Sequence, residues 1–443
     1  MAQSSGGKKN RKIASSFGLS LGLRVAWALL NYAGVVLLAR WFSPDEYGVI
    51  ALTLSMVTFA GILCAMGSQT TLLRFLGQYK AQDSQALIHG AARFAQRRVA
   101  LVSGSVTILA IIAIWTGHAL GHVSHPAAYS LGFLLLPGFA LNDTNSAIAR
   151  SFGSVFLALA PRDVLWRGAI ILAGWLCTRF ALGLEAFLAL SALLLTGLVA
   201  WQSRASFHRL PPAVRAALPA EDRGRWITVA LPIWIASVAM VSMRTLDVVT
   251  VGLVLDEATV GRYFAASRSA ILAGFVLNCI NLVSGPMISH AFHSKDMGRL
   301  SRILGLSAIV SFVPALMITL IFLFFGPFIM SFFGPGFAEF SGVLVVLACG
   351  QTAATFFGSS GLLLDLSGHE RQNTRILIST ALLSLVAMIA LGLVFGAIGV
   401  ASAAAAAPAV WSFRRWLFIR RHTGLDSSAL AILPSRQRRL RNP

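Results

Sequence analysis

Apolar residues along this chain fall into long blocks, and the short segments between them carry most of the charge. Each block is long enough for an α-helix to cross the hydrocarbon core of a bilayer, which takes ~20 residues. The apolar windows predict twelve helices, over 17–40, 48–70, 96–117, 128–150, 164–180, 185–202, 227–255, 260–289, 303–325, 340–364, 376–395 and 398–418. The fifth window has the most crowded ends, with Arg162, Asp163 and Arg167 at its start and Arg179 at its finish. Between the second and third windows, Lys80–Arg98 predicts a short surface helix. The expectation is an all-α polytopic membrane protein with about twelve transmembrane helices in two six-helix bundles. The segment after the sixth helix holds Pro211, Pro212 and Pro219 and predicts a linker. The expected organisation is a basic N-terminus at 1–16, a bundle at 17–202, a linker at 203–226, a second bundle at 227–418 and a basic tail at 419–443.

Composition supports a membrane solvent: 56% of residues are hydrophobic, 12% are charged and the mean hydropathy is +0.75. The net charge of +20 matters through its position. Of the 36 Lys and Arg residues, 30 lie in alternate gaps; the other gaps hold only Arg40, Arg179 and Arg262, and Arg24, Arg244 and Arg268 fall inside windows. Basic loops stay in the cytoplasm, so this bias predicts that both termini are cytoplasmic. It also predicts attraction to anionic lipids rather than nucleic acid, because the basic stretches are short, separate and without an RNA-reading motif. Lys8, Lys9, Arg11 and Lys12 resemble the start of a signal peptide, but the apolar window that follows is too long and has no small-residue cleavage site, so a retained first helix is expected. Cys64, Cys177, Cys279 and Cys349 all sit in apolar stretches with no CxxC pair and read as packing thiols. His118, His122 and His125 have a spacing that a metal accepts, but Gly121 and Pro126 break the helix a site would need, and no metal is expected there.

An internal repeat appears at an offset of 213 residues. Val35-Val36 then meets Val248-Val249, Gly48 meets Gly261, Ala60-Gly61 meets Ala273-Gly274 and Asp83 meets Asp296. Each half thus has a helix, an acidic turn, a glycine near the start of the next helix and a polar loop.

The run Ala39-Arg40-Trp41-Phe42-Ser43-Pro44-Asp45-Glu46-Tyr47-Gly48 resembles the first outer turn of polysaccharide-unit flippases. The second half carries the resemblance through Asp247, Val260-Gly261-Arg262-Tyr263, Ala265-Ala266-Ser267-Arg268 and Pro286. These are the lipid-linked oligosaccharide (O-antigen-type) flippases of the multidrug/oligosaccharidyl-lipid/polysaccharide exporter (MOP) superfamily, which includes the MATE transporters. The resemblance implies two six-helix bundles, with a substrate site between the halves reached by rocking them. It implies an undecaprenyl-pyrophosphate-linked oligosaccharide as substrate, moved across the inner membrane for exopolysaccharide, O-antigen or capsule synthesis. A polysaccharide polymerase and chain-length machinery follow as partners. No phosphate-binding G-x-x-x-x-G-K-[ST], H-E-x-x-H or G-x-S-x-G motif occurs, so no built-in ATPase or hydrolase and no cofactor are expected. Uphill movement would draw on H+ or Na+, on the membrane potential or on removal of the product.

Ionisable groups inside crossings are costly unless paired or hydrated, so each is a candidate for function. Arg24 lies near the inner end of the first window, either snorkelling to the interface or offering a guanidinium to a lipid pyrophosphate. Asn31 continues that helix. Arg244 and Asp247 stand three apart on one helical face and either neutralise one another, or Asp247 meets Arg268 and leaves Arg244 open. In the fourth window Pro137 precedes Asn142, Asp143, Asn145 and Ser146, which either coordinate a cation or sugar or are solvated at a helix end near Arg150. The candidate substrate-binding set is therefore Arg24, Asn31, Asn142, Asp143, Arg244, Asp247 and Arg268. A multidrug-type cation exporter is the rival within this class and should have an acidic cavity. A membrane enzyme of polysaccharide assembly would need a long outer loop that this chain does not have, and a scaffold would tolerate loss of every intramembrane charge.

Overall fold

The protein is described by a computed structural model covering residues 22–23 and 26–432. Its elements are helical, with no strand among the described residues. They pack as two units, Met1–Val238 and Ala239–Pro443.

The first unit contains α1 (Ala26–Trp41), α2 (Pro44–Ala65), α3 (Ser68–Ala81), α4 (Gln85–Ala119), α5 (Pro126–Phe133), α6 (Leu136–Ser151), α7 (Val155–Ala160), α8 (Trp166–Arg179), α9 (Leu184–His208) and α10 (Pro212–Ala216). A π-helical turn, Pro161–Leu165, joins α7 to α8. The helix α11 (Arg223–Val254) starts in this unit and ends in the second. The second unit continues with α12 (Glu257–His293), α13 (Met297–Ser331), α14 (Ser341–Phe356), α15 (Ser360–Leu366) and α16 (Glu370–Thr423).

The sequence repeat is visible in the helix boundaries. Pro44 opens α2 and Glu257 opens α12, and each is preceded by a capping side chain. Ser43 forms a capping box with Glu46, while Asp256 accepts from the Thr259 amide at 3.1 Å and its hydroxyl at 2.7 Å. Burial raises the Asp256 carboxyl, but these hydrogen bonds, with the charge of Arg262, hold its pKa below the ordinary value. The two caps use different chemistry at equivalent places.

Among the described residues, eight helical stretches have the length and composition of a membrane crossing. One of them, α16, is 54 residues long, and it departs from helical geometry at Gly396 (φ 61°, ψ −143°). Spaced by ~1.5 Å per residue, that length would be more than twice a hydrocarbon core. The contacts show a hairpin. A Cβ on Gly399 would lie 2.0 Å from the Leu391 carbonyl oxygen, and Arg414 donates back to Ser379 at 2.7 Å. Windows eleven and twelve are thus its two limbs. The short apolar α1, the broken pair α5–α6 and the continuous run α7–α8 supply the remaining crossings among twelve.

Three sequence expectations change. The fifth crossing begins at Val155, not near 164, which brings Arg162, Asp163 and Arg167 into a helix instead of a loop. Lys80–Arg98 is not a separate surface helix; most of it is the first part of the 35-residue α4. Segment 203–226 contains the end of α9, α10 and the start of α11, and its Leu210, Val214 and Trp226 are buried with Phe75, Tyr79 and Ile88. The corresponding segment after the twelfth crossing behaves alike: Leu425 is buried with Ile288, Leu300 and Ile419, and Ser427 donates to the Phe357 carbonyl. Polar side chains satisfy the backbone at these places. Met66 and Gly67 take left-handed conformations between α2 and α3, and the Leu63 carbonyl there accepts from the Trp234 indole at 3.0 Å. Arg98 donates to the Met66 carbonyl and the Ser68 hydroxyl, so it secures this break. Of the cysteines, Cys64 and Cys177 are buried, while Cys349 is exposed.

Candidate functional site

The polar cluster of the fourth crossing is built around proline chemistry. Pro137 has no N–H to offer the carbonyl four residues back, and α5 gives way to α6 just before it; the Phe133 carbonyl accepts instead from Thr107 at 3.4 Å. Pro161 does the same to the Leu157 carbonyl, which accepts from Gln202 Nε2 at 3.0 Å. Gln202 also donates to Ser146 Oγ, and Ser146 reaches Asn142 Oδ1 at 3.4 Å. Asn145 is held from two sides, by Gln96 at 2.7 Å and Ser203 at 2.6 Å. Asn142, Asn145 and Ser146 therefore join α4, α6, α7 and α9 into one buried network.

Asp143 has a different role. Its Oδ1 accepts from Arg162 Nη1 at 2.7 Å, whereas Arg150, about two turns further along α6, forms no ion pair with it among the described residues. Arg162 stands on the π-turn that Pro161 opens, and such turns widen a helix and often occur at functional sites. The exposures are unequal: the Arg162 side chain is 51% exposed, Asp143 11%. One edge of the guanidinium is held by a buried carboxylate, and its Nε lies 3.9 Å from the Asp163 carboxylate. Charge counting had placed Arg162 in a loop. The signal that could have found it was Pro161, immediately before a charged pair and within reach of the polar fourth crossing.

In the second unit, Asp247 on α11 is buried and accepts from Ser267 Oγ at 2.9 Å. Tyr263 packs beside it, fully buried, and Arg268 is close enough to act on its charge. Arg268 is half-buried, with its guanidinium 4.7 Å from the Phe264 ring centroid. Arg244 is exposed, on the same helix as Asp247, and forms no ion pair among the described residues. Asp247 thus lies within electrostatic range of Arg268 and forms no ion pair with Arg244 among the described residues. Asn31 is half-buried on α1, and Arg24 lies outside the described residues. Elsewhere Asn281 accepts from Ser359 at 2.6 Å and Asp365 is bridged through Asn373 to Arg415, which are interhelical contacts.

No family model matches the chain, and no curated protein does. Solved structures do. An inward-facing multidrug resistance MATE family transporter of the MOP superfamily superposes with a TM-score of 0.75 at 15% identity, covering 89% of this chain and 94% of that one. The lipid II flippase MurJ, in an inward closed conformation, gives 0.70 at 13% identity, over 91% of this chain and 87% of that one. A MATE in its straight conformation gives 0.63 at 13% identity, over 93% and 95%. At these identities the likeness speaks for the fold. The chain is an all-helical, multi-pass membrane protein with the fold that MATE transporters share with the MurJ flippase.

Proposed function

We propose that this protein is a flippase that carries an undecaprenyl-pyrophosphate-linked oligosaccharide unit across the inner membrane by alternating access, for exopolysaccharide, O-antigen or capsule synthesis. Both termini are then cytoplasmic, as the basic gaps indicate. The fold likeness supports transport of the flippase or exporter kind, and the resemblance at 39–48 and 260–268 supports the lipid-linked substrate. A polysaccharide polymerase and chain-length machinery would take over the delivered unit.

Arg244 carries the reading. It lies ten residues before the end of α11 at Val254, about 15 Å along the helix axis. An exposed arginine at that depth, without a carboxylate partner, is not stable against lipid tails; it needs water or an anion beside it. A guanidinium presents paired donors suited to pyrophosphate oxygens. Arg268 adds a second positive group whose partner, Asp247, competes with the headgroup for it. Protonation of that acid, or a cation bound at it, would strengthen the hold of Arg268 on the substrate, and its reversal would favour release. H+ or Na+ is the coupling ion this scheme uses.

The test is export in cells. Deletion should leave the undecaprenyl-linked oligosaccharide accumulating on the inner leaflet, and Arg244→Ala and Arg268→Ala should reproduce this at wild-type abundance. Full export by both variants would refute the assignment of these arginines. The multidrug-exporter reading predicts the opposite pattern, with drug resistance lost on deletion and no lipid-linked sugar accumulated.

A further inference from the structure

A cavity of about 420 Å³ opens in the first unit between α4, α6 and α9, and neither Asp143 nor Arg162 lines it. Six of its lining residues carry the argument: His89, Arg93, Gln96, Ile148, Ser206 and Phe207. No acidic residue lines it. Arg93 is exposed and forms no ion pair among the described residues. Ser206 is 2% exposed, and its hydroxyl has no hydrogen-bond partner. A buried hydroxyl left unpaired costs stability unless something fills its bonding capacity. His89 is fixed by its Nδ1 contact with the Ala217 carbonyl at 2.8 Å, so the opposite ring nitrogen is left for another partner.

We infer that this cavity holds the phosphodiester of an anionic phospholipid. Arg93 supplies the charge, Ser206 donates a neutral hydrogen bond, His89 Nε2 accepts from a headgroup hydroxyl, and the absence of carboxylates leaves the field positive. Its surroundings point to a lipid source for the phosphate. Phe207 at the rim and Trp201 two turns earlier are both exposed, giving an amphipathic aromatic border of the sort found at the bilayer interface. Arg204 and Arg209 extend the basic surface along the end of α9. Basic pockets between crossing helices on the cytoplasmic side suit lipid headgroups. The site is independent of the transport reading, since it requires only a phosphate-bearing lipid at the basic end of the unit.

Native mass spectrometry of the detergent-purified full-length protein tests it with phosphatidylglycerol, phosphatidylethanolamine and soluble sn-glycerol 1-phosphate as probes. Wild-type protein should retain phosphatidylglycerol in preference to phosphatidylethanolamine. Arg93→Gln should weaken that retention about tenfold, the loss expected for one charge-assisted contact. Ser206→Leu, which fills the cavity, should abolish it, and Arg215→Gln, which removes a charge from exposed α10, should leave it unchanged. Equal retention by wild type and Arg93→Gln would overturn the site. An equal drop for Arg215→Gln would also overturn it, by showing a general charge effect. Glycerol phosphate binding as tightly as phosphatidylglycerol would overturn the lipid assignment.

Discussion

Neutralising Asp143 and Arg162 separately should reveal which member of the pair the fold depends on. The two are joined at 2.7 Å, but the acid is nearly buried and the guanidinium is half exposed. An exposed pair contributes ~0–1 kcal/mol, and breaking a fully buried one costs ~3–5 kcal/mol. Arg162→Gln strands the carboxylate where water hardly reaches, so its cost should approach the buried limit, at about 2–4 kcal/mol. Asp143→Asn leaves an arginine that water can rehydrate and an amide oxygen that still accepts from Nη1, so its cost should be about 1 kcal/mol. The double variant removes the stranded charge and should recover about 1–2 kcal/mol of the summed losses. Thermal unfolding of the four proteins in one detergent, as a double-mutant cycle, measures this. Additivity within ~0.5 kcal/mol would refute the coupling. Equal single costs would refute the argument from unequal exposure, even if coupling were found.

Three glycines and one indole test the backbone arguments. Gly90→Ala places a Cβ 1.7 Å from the Ala220 carbonyl oxygen, so segment 217–222 must leave α4; trypsin cleavage at Arg215 and Arg223 should accelerate severalfold. Gly396→Ala meets no atom within 4 Å, yet its φ of +61° with an extended ψ is almost exclusive to glycine, and a loss of about 1–3 kcal/mol in thermal unfolding is expected from conformation alone. Gly399→Ala, close to the Leu391 carbonyl, should lower the folded yield further through steric clash at the same hairpin. Trp234→Phe keeps an aromatic ring but removes the donor to the Leu63 carbonyl, and should cost about 1 kcal/mol by the same measurement.

Crossings were legible because bilayer thickness imposes one length on every apolar block, and the repeat was legible because equivalent turns kept equivalent residue types. The ends of the helices were not. Basic residues near 80–98 and 204–225 suggested a separate surface helix and a linker, since charge was taken to mark the limit of the crossing. In the structure α3 and α4 run past the apolar windows, and Tyr79, Ile88, Leu210, Val214 and Trp226 belong to a buried core there. Those apolar residues are too sparse to register in a window tuned to a crossing. Of the candidate site, Asn142, Asp143, Asp247 and Arg268 were identified as intramembrane polar groups; the partner of Asp143 was not, and for Asp247 the sequence left Arg244 and Arg268 open, because pairing between helices depends on rotation about each axis. Arg162 was missed for a further reason: the π-turn after Pro161 sets its direction, and hydropathy has no term for that.

The two aspartate–arginine arrangements are not copies produced by the internal repeat, since the offset of 213 carries Asp143 to Phe356. Each unit has nevertheless placed a buried acid on one crossing and a more open arginine on the next. Simple neutralisation would be served as well by burying both members. In the first unit, burying only the acid has a distinct consequence: the Asp143 carboxylate stays out of competition from water, while the half-exposed Arg162, with five donors in a rigid plane, gives one to Asp143 and turns Nε toward Asp163 at 3.9 Å. An arginine held in this way keeps its orientation without being fully satisfied. Such a group can meet a phosphate oxygen without first losing the side-chain entropy that a flexible arginine would lose on binding. Under the proposed flippase reading, Asp143 is then a positioning group, and the exposed edge of Arg162 is the surface that an anionic headgroup would meet.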